Sequence, residues 1–261
     1  MGEEHLVVIG DAGRMRELPE KSVQLVVTSP SHMNFRLVGQ EGNGYMRDFD
    51  EYLSNIMKIF RECKRVLKPK SFLCLNISDT ASNMEKMPIP AHLLFALKRS
   101  GFSFCEDILW TTTRAQAPPP KGRQTGLFLS SVCTLPDFQV QRTLIFRKGR
   151  ETTKTTPPKG FIPFRNSAVR YIENFEGASP MSQEIFHENL VSAILLHFSD
   201  EGDTVLDPFL GGGTLCRVAA KHGRIAVGYE SNPYNLRIIR QNAGIPESRL
   251  KVVFQGEGRL I

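Results

Sequence analysis

The stretch Asp207-Pro208-Phe209-Leu210-Gly211-Gly212-Gly213-Thr214 decides how the chain is read. Ahead of it, Asp203-Thr204-Val205-Leu206 is a short apolar run with the character of a buried strand. Behind it, residues 215–222 have helical spacing and stop at Gly223. Glycines between a strand end and a helix start let the backbone approach a ligand without a side chain in the way. The next apolar run, Ile225-Ala226-Val227-Gly228-Tyr229, ends in Glu230. An acid at the tip of the second strand of such a unit is placed to hold the two hydroxyls of a ribose. A turn closing any α/β unit would account for the glycines alone. It would not call for Asp-Pro-Phe before them or Glu230 after them, so the stretch reads as a nucleoside site.

No Gly-Lys-Ser/Thr occurs in the chain, which argues against a triphosphate cradle, and the glycine spacing differs from the dinucleotide fingerprint. With 261 residues, 41% of them hydrophobic, the chain is long enough to bury the core of one α/β domain with insertions. A net charge of +6 is compatible with a polyanionic partner. The five cysteines, Cys63, Cys74, Cys105, Cys133 and Cys216, are scattered and never form Cys-x-x-Cys. They read as reduced thiols, so neither a metal site nor a disulfide framework is expected. No apolar run of about eighteen residues and no signal peptide is present, and the expectation is a cytoplasmic protein without a membrane span.

Working outward, residues 5–11 read as a strand and turn, and 14–20 as a polar, helix-capable connection. Residues 23–28 are a dense β-branched run, the mark of a central parallel strand. A mobile loop is expected over 34–48 and a helix over 50–67, closed by Lys68-Pro69-Lys70. Strands follow at 71–77, 102–110 and 140–147, with a helix at 90–100 between the first two. The triple proline within 115–125 marks a loop, and 151–179 is an irregular, basic insertion. Helices at 186–198 and 234–243 and a last strand at 249–254 complete the pattern. Strands alternating with helices argue an α/β fold with a doubly wound, mostly parallel sheet.

A second site is expected at the end of the 23–28 strand, because ligands of open α/β sheets sit outside the strands' carboxyl ends. There stand Ser29-Pro30-Ser31-His32. This corner resembles the catalytic corner of amino-methyltransferases of nucleic acid, and the resemblance implies the following roles. The exocyclic amino nitrogen of cytosine or adenine is a poor nucleophile, since its lone pair is delocalised into the ring. A hydroxyl at Ser29 and the carbonyl of Pro30 would accept its two hydrogens and free that lone pair. Proline keeps the carbonyls out of a helix. A ring at His32 would stack on a flipped base.

Together these segments resemble the β-type, circularly permuted S-adenosylmethionine-dependent amino-methyltransferases, which modify cytosine N4 or adenine N6 of nucleic acid. Their cofactor motif is Asp-Pro-Phe-x-Gly-Ser/Gly-Gly-Thr, matched by residues 207–214, with an acid closing the next strand. Their catalytic tetrapeptide is Ser/Asp-Pro-Pro-Tyr/Phe; here Ser31 replaces the second proline and His32 the aromatic ring. The resemblance implies a Rossmann-like class I methyltransferase with a seven-stranded sheet and S-adenosyl-L-methionine as cofactor. Residues 1–150 would form the catalytic half, 151–180 a short target-recognition insertion, and 181–261 the cofactor half. It implies catalytic roles for Ser29, Pro30, Ser31 and His32. Cofactor contacts would come from Asp207, Pro208, Phe209, Gly211, Gly213, Thr214 and Glu230, from Asp11 after Gly10, and from Asp79 in the Asn76-Ile77-Ser78-Asp79 motif. Phe186 falls in the segment that holds the methionine end. Residues 141–148 resemble a strand ending in a basic residue near the base, so Lys148, with Asn34 and Arg165, is a candidate substrate contact.

Serine at the first position of the tetrapeptide tilts the resemblance toward cytosine N4, with adenine N6 left open. Attack from C5 of cytosine would need a cysteine nucleophile after a proline, and no Pro-Cys pair exists. Relatives that methylate a protein glutamine place the cofactor motif first, the reverse of the order here. The short insertions leave little surface for groove readout. DNA is held first as the polymer, structured RNA such as rRNA second, with the protein a monomer or homodimer. The two departures in the tetrapeptide also leave open a relative that binds nucleic acid with impaired catalysis.

Overall fold

A computed structural model of the chain describes residues 4–30, 45–82, 85–112, 139–149 and 188–256. The first two strands are β1 (His5–Ile9) and β2 (Val23–Thr28). Helix α1 (Tyr45–Val66) runs directly into β3 (Leu67–Ile77), and a small hairpin of β4 (Thr80–Ser82) and β5 (Glu85–Met87) follows. Helix α2 (Ile89–Arg99) leads to the antiparallel pair β6 (Phe102–Thr112) and β7 (Gln139–Lys148). The last part comprises α3 (Glu188–Phe198), β8 (Thr204–Asp207), α4 (Thr214–Lys221), β9 (Ile225–Glu230), α5 (Asn235–Ala243) and β10 (Leu250–Phe254).

The main sheet has the order β10-β1-β9-β8-β2-β3-β7-β6. Its first six strands pair in parallel, whereas β7 runs antiparallel to both β3 and β6. The alternation of side chains along each strand splits the core in two. Val8, Val26, Leu73, Leu75, Leu206 and Tyr229 pack on one face with Phe49, Ile56, Phe60 and Cys63 of α1 and Leu93 and Leu97 of α2. Val7, Leu25, Val27, Cys74, Val205 and Ala226 pack on the other, with α3, α4 and α5. Both faces are covered, so the sheet is doubly wound. No helix among the described residues is long and apolar enough to cross a membrane.

The structure departs from the sequence expectations at several points. Among the described residues the sheet has eight strands where the resemblance implied seven; the strand expected at 249–254 is β10, which pairs in parallel with β1 from His5↔Leu250 to Ile9↔Phe254. Strand β1 lies between β10 and β9. Helix α1 begins at Tyr45, which removes 45–48 from the expected loop. Residues 68–70 do not separate helix from strand. They bulge within β3, where the pairing steps from Val23↔Leu67 to Leu25↔Phe72, and Lys70 takes a φ of 67°. Residues 14–20 form turns rather than a helix, because α1 satisfies their backbone groups. Arg65 donates to the carbonyls of Leu18 and Met15 at 3.1 and 2.7 Å, and the Met15 N–H donates to Glu62 at 2.9 Å. Most of the expected loop over 34–48, the 115–125 loop and the 151–179 insertion lie outside the described residues.

Phe60 is fully buried between α1 and the sheet and meets Phe209, beside the glycine turn, edge-on at 6.5 Å. Phe60→Ala is expected to lower the unfolding free energy by about 3–5 kcal/mol, read from urea denaturation midpoints. A loss below about 1 kcal/mol would contradict close packing of that face.

Candidate functional site

The carboxyl ends of the six parallel strands define one edge of the sheet, and the site is built along it. Pairing of β2 with β8, Leu25↔Val205 and Val26↔Leu206, brings the tips of strands far apart in sequence side by side. At those tips the Thr28 hydroxyl donates to Asp207 Oδ1 at 2.6 Å, with both residues buried. The Phe209 N–H donates to the same oxygen at 2.9 Å, which holds the start of the turn against the strand. The residue after Thr28 is Ser29, half-buried, and Pro30 behind it is buried.

The turn then climbs through Gly211 and Gly213, whose φ values of 53° and 85° lie in the left-handed region that favours glycine. At Gly213 a Cβ would also meet the backbone of Ile239 in α5 at 3.3 Å. At Gly211 the space is open, with only the Phe209 carbonyl oxygen at 3.8 Å. The second carboxylate, Glu230, accepts from the Gly211 N–H at 2.9 Å through Oε2 and from the Asn232 N–H at 2.7 Å through Oε1. Each oxygen keeps acceptor capacity for a further donor. The Gly10 N–H donates to the Glu230 carbonyl at 2.9 Å, which places the β1 tip and Asp11 on the same edge. The Asp11 carboxylate accepts from the Gly13 N–H at 2.7 Å, while its own N–H donates to Gln255 at 2.7 Å. Asp79 is exposed two residues beyond the end of β3, again on this edge.

Burial pushes the Asp207 carboxyl up to about 7. The donors Thr28 and Phe209 pull the other way, and the charge of Glu230 adds to the rise. The site therefore holds a carboxyl that burial biases toward its neutral form, beside a second acid, around a turn with open backbone. That donor set suits a ligand carrying positive charge and hydroxyls, as an adenosyl sulfonium does. Among the described residues no cluster of His, Cys, Asp or Glu could hold a metal ion.

The structure thus brings Ser29, Pro30, Asp11, Asp79, Asp207, Pro208, Phe209, Gly211, Gly213, Thr214 and Glu230 to one edge. Ser31, His32, Asn34, Arg165 and Phe186 lie outside the described residues. Lys148 is not at this edge, and its expected substrate contact is corrected. Because β7 is antiparallel to β3, with Phe72↔Arg147 and Ile77↔Arg142, the end of β7 lies at the opposite edge. There the Lys148 ammonium donates to the Leu67 and Arg65 carbonyls at 2.6 and 3.4 Å, where α1 gives way to β3. At the site edge β7 instead presents Arg142, whose guanidinium pairs with Asp107 at 2.6 Å. Sequence reasoning missed Arg142 because strand direction is invisible in a single run of residues. It also assigned no role to Thr28, whose partner lies 179 residues away.

A family model for N6/N4-type DNA methylases matches residues 23–241, and the chain belongs to that family. The type II methyltransferase M.MjaI of Methanocaldococcus jannaschii is 27% identical over 299 residues, spanning 97% of this chain and 95% of its own. TTHA0409 of Thermus thermophilus, solved in complex with S-adenosyl-L-methionine, aligns with a TM-score of 0.70 at 26% identity, covering 96% of this chain and 98% of that one. The cytosine-N4-specific PvuII DNA methyltransferase shares the fold at a TM-score of 0.69 and 18% identity, over 94% of this chain and 88% of its own.

A carboxyl whose pKa is raised on folding costs stability as pH rises. Below about pH 4 both folded and unfolded chains hold the proton and nothing is lost. Between about 4 and 7 only the folded chain must keep it, and above 7 the cost is constant. Asp207→Asn keeps an oxygen for Thr28 and Phe209 but cannot ionise. The variant is expected to gain about 2–3 kcal/mol on wild type between pH 5 and pH 7.5, measured by denaturation at the two pH values. Equal pH dependence in the two proteins would mean Asp207 is already charged in the folded state.

Proposed function

We propose that the protein transfers a methyl group from S-adenosyl-L-methionine to the N4 amino group of cytosine in DNA. The observation that carries the reading is a serine hydroxyl, not a carboxylate, at the tip of β2, one residue from the Thr28–Asp207 contact with the cofactor strand.

The cofactor supplies an electrophilic methyl on a positively charged sulfur. Gly211 and Gly213 leave room for it, Glu230 offers oxygens to the ribose hydroxyls, and Asp207 offers negative charge. The Ser29 hydroxyl and the Pro30 carbonyl accept the two hydrogens of the target amine and turn its lone pair away from the ring. The cofactor would supply a methyl carbon to the nitrogen as its own carbon–sulfur bond breaks, leaving a neutral thioether; Ser29 and Pro30 hold the amine hydrogens but are too weakly basic to keep the surplus proton, which would pass to solvent. The base has to leave its stack to reach the corner, and the resemblance assigns the stacking ring to His32. Proline restricts the backbone, so the carbonyl stays aimed without reorganisation during transfer.

Labelled S-adenosylmethionine is to be incubated with the protein and duplex DNA or total RNA, followed by digestion to nucleosides. The expected product is N4-methylcytosine from DNA. N6-methyladenine would replace the base assignment, label confined to RNA would replace the polymer, and cofactor binding without transfer would support the impaired relative. Ser29→Ala is expected to lower kcat about 10²-fold while the cofactor Kd stays within about twofold of wild type.

A further inference from the structure

Ser29 is not the last polar group behind the corner. Pairing of β2 with β3 sets Thr28 opposite Leu75, so the next residue of β3, Asn76, comes beside Ser29. Pairing of β3 with β7 sets Asn76 opposite Thr143. The Thr143 hydroxyl donates to Asn76 Oδ1 at 3.3 Å, and Asn76 Nδ2 donates to Ser29 Oγ at 3.4 Å. Thr143 is fully buried and Asn76 is 3% exposed.

Neighbours along the same face make these two residues unusual. Cys74 precedes Asn76 and Ile145 follows Thr143 at the period of two, and both pack in the apolar core beneath α3. Packing alone would call for valine or isoleucine at both positions. Buried hydroxyl and amide groups cost free energy unless they bond to one another, and a linked set rigidifies what it touches. The hydroxyl of an isolated serine rotates freely.

We infer that Asn76 is a positioning residue for Ser29, held in its orientation by Thr143. The inference rests on the reading of Ser29 as the amine-binding group. In this arrangement Asn76 Oδ1 accepts from the Thr143 hydroxyl while the amide N–H faces Ser29 Oγ. That bond occupies one lone pair of the serine oxygen and leaves the other for a hydrogen of the substrate amine. Contacts of 3.3–3.4 Å are long, as they commonly are in free enzymes, and tighten when substrate is bound.

The test uses the full-length protein and the variants Thr143→Val, Thr143→Ser and Asn76→Asp. Thr143→Val keeps the shape and removes the donor. It is expected to lower kcat about tenfold, leaving KM for DNA and the cofactor Kd within about twofold. Thr143→Ser restores the rate. Asn76→Asp, which cannot donate to Ser29, is expected to lose at least as much. In a Ser29→Ala background Thr143→Val costs nothing further, because the group it serves is gone. Retained kcat in both Thr143→Val and Asn76→Asp, or an undiminished loss in the Ser29→Ala background, overturns the inference. The side-chain amide resonances of Asn76 supply a readout without turnover. Ser29→Ala and Thr143→Val are each expected to shift them, and no shift from either overturns the inference whatever the activity. If wild type transfers no methyl while those shifts appear, the function fails and the relay stands.

Discussion

The arrangement depends on one hydrogen bond, from the buried Thr28 hydroxyl to the buried Asp207 carboxyl at 2.6 Å. It closes the seam between β2, which carries the serine-proline corner, and β8, which carries the glycine turn. The pairing of these strands sets their direction and register, and the bond ties the tips themselves. Asp207 Oδ1 accepts from Phe209 N as well, so one oxygen anchors both the neighbouring strand and the first turn of the cofactor loop. On the proposed reading, a small displacement there would move donor and acceptor of the methyl group relative to each other, and transfer rates are steeply sensitive to such displacements.

Placing a carboxyl in that seam has an electrostatic cost. Desolvation raises the Asp207 pKa, and Glu230 nearby raises it further. Two acids around one turn are poorly compatible with a free protein at neutral pH, and well compatible with a positively charged ligand between them. On the proposed reading, a positively charged ligand between them would relieve the cost of burying Asp207, a cost of the kind that functional sites concentrate.

The turn and its flanks were legible because their signals are local. Asp207-Pro208-Phe209, the glycines at 211–213 and Glu230 sit within one strand-turn-helix-strand unit, and each residue type has a reason that does not depend on distant partners. The β-branched run at 23–28 announced β2 for the same reason. Lys148 shows the limit. Its run of residues has strand character, but whether the strand's end points toward the site depends on its pairing, and the antiparallel register with β3 sends it the other way. Residues 14–20 show another limit, since their helix-capable composition is overruled by Arg65 and Glu62 from α1, 47 to 50 residues on. Asn76 was read as part of a strand tip, and its bonds to Ser29 and Thr143 had no trace in spacing.

The sequence by itself determined the α/β class, the glycine turn with its closing acid and the chemistry available at the serine-proline corner, because short-range patterns of polarity and backbone freedom carry them. Tertiary structure alone decided that corner and turn share an edge, that β1 and β10 extend the sheet beyond β9, and which cation of β7 lies at that edge. These outcomes depend on strand order and direction, which are set by long-range pairing and the burial of two sheet faces, and no local run of residues encodes them.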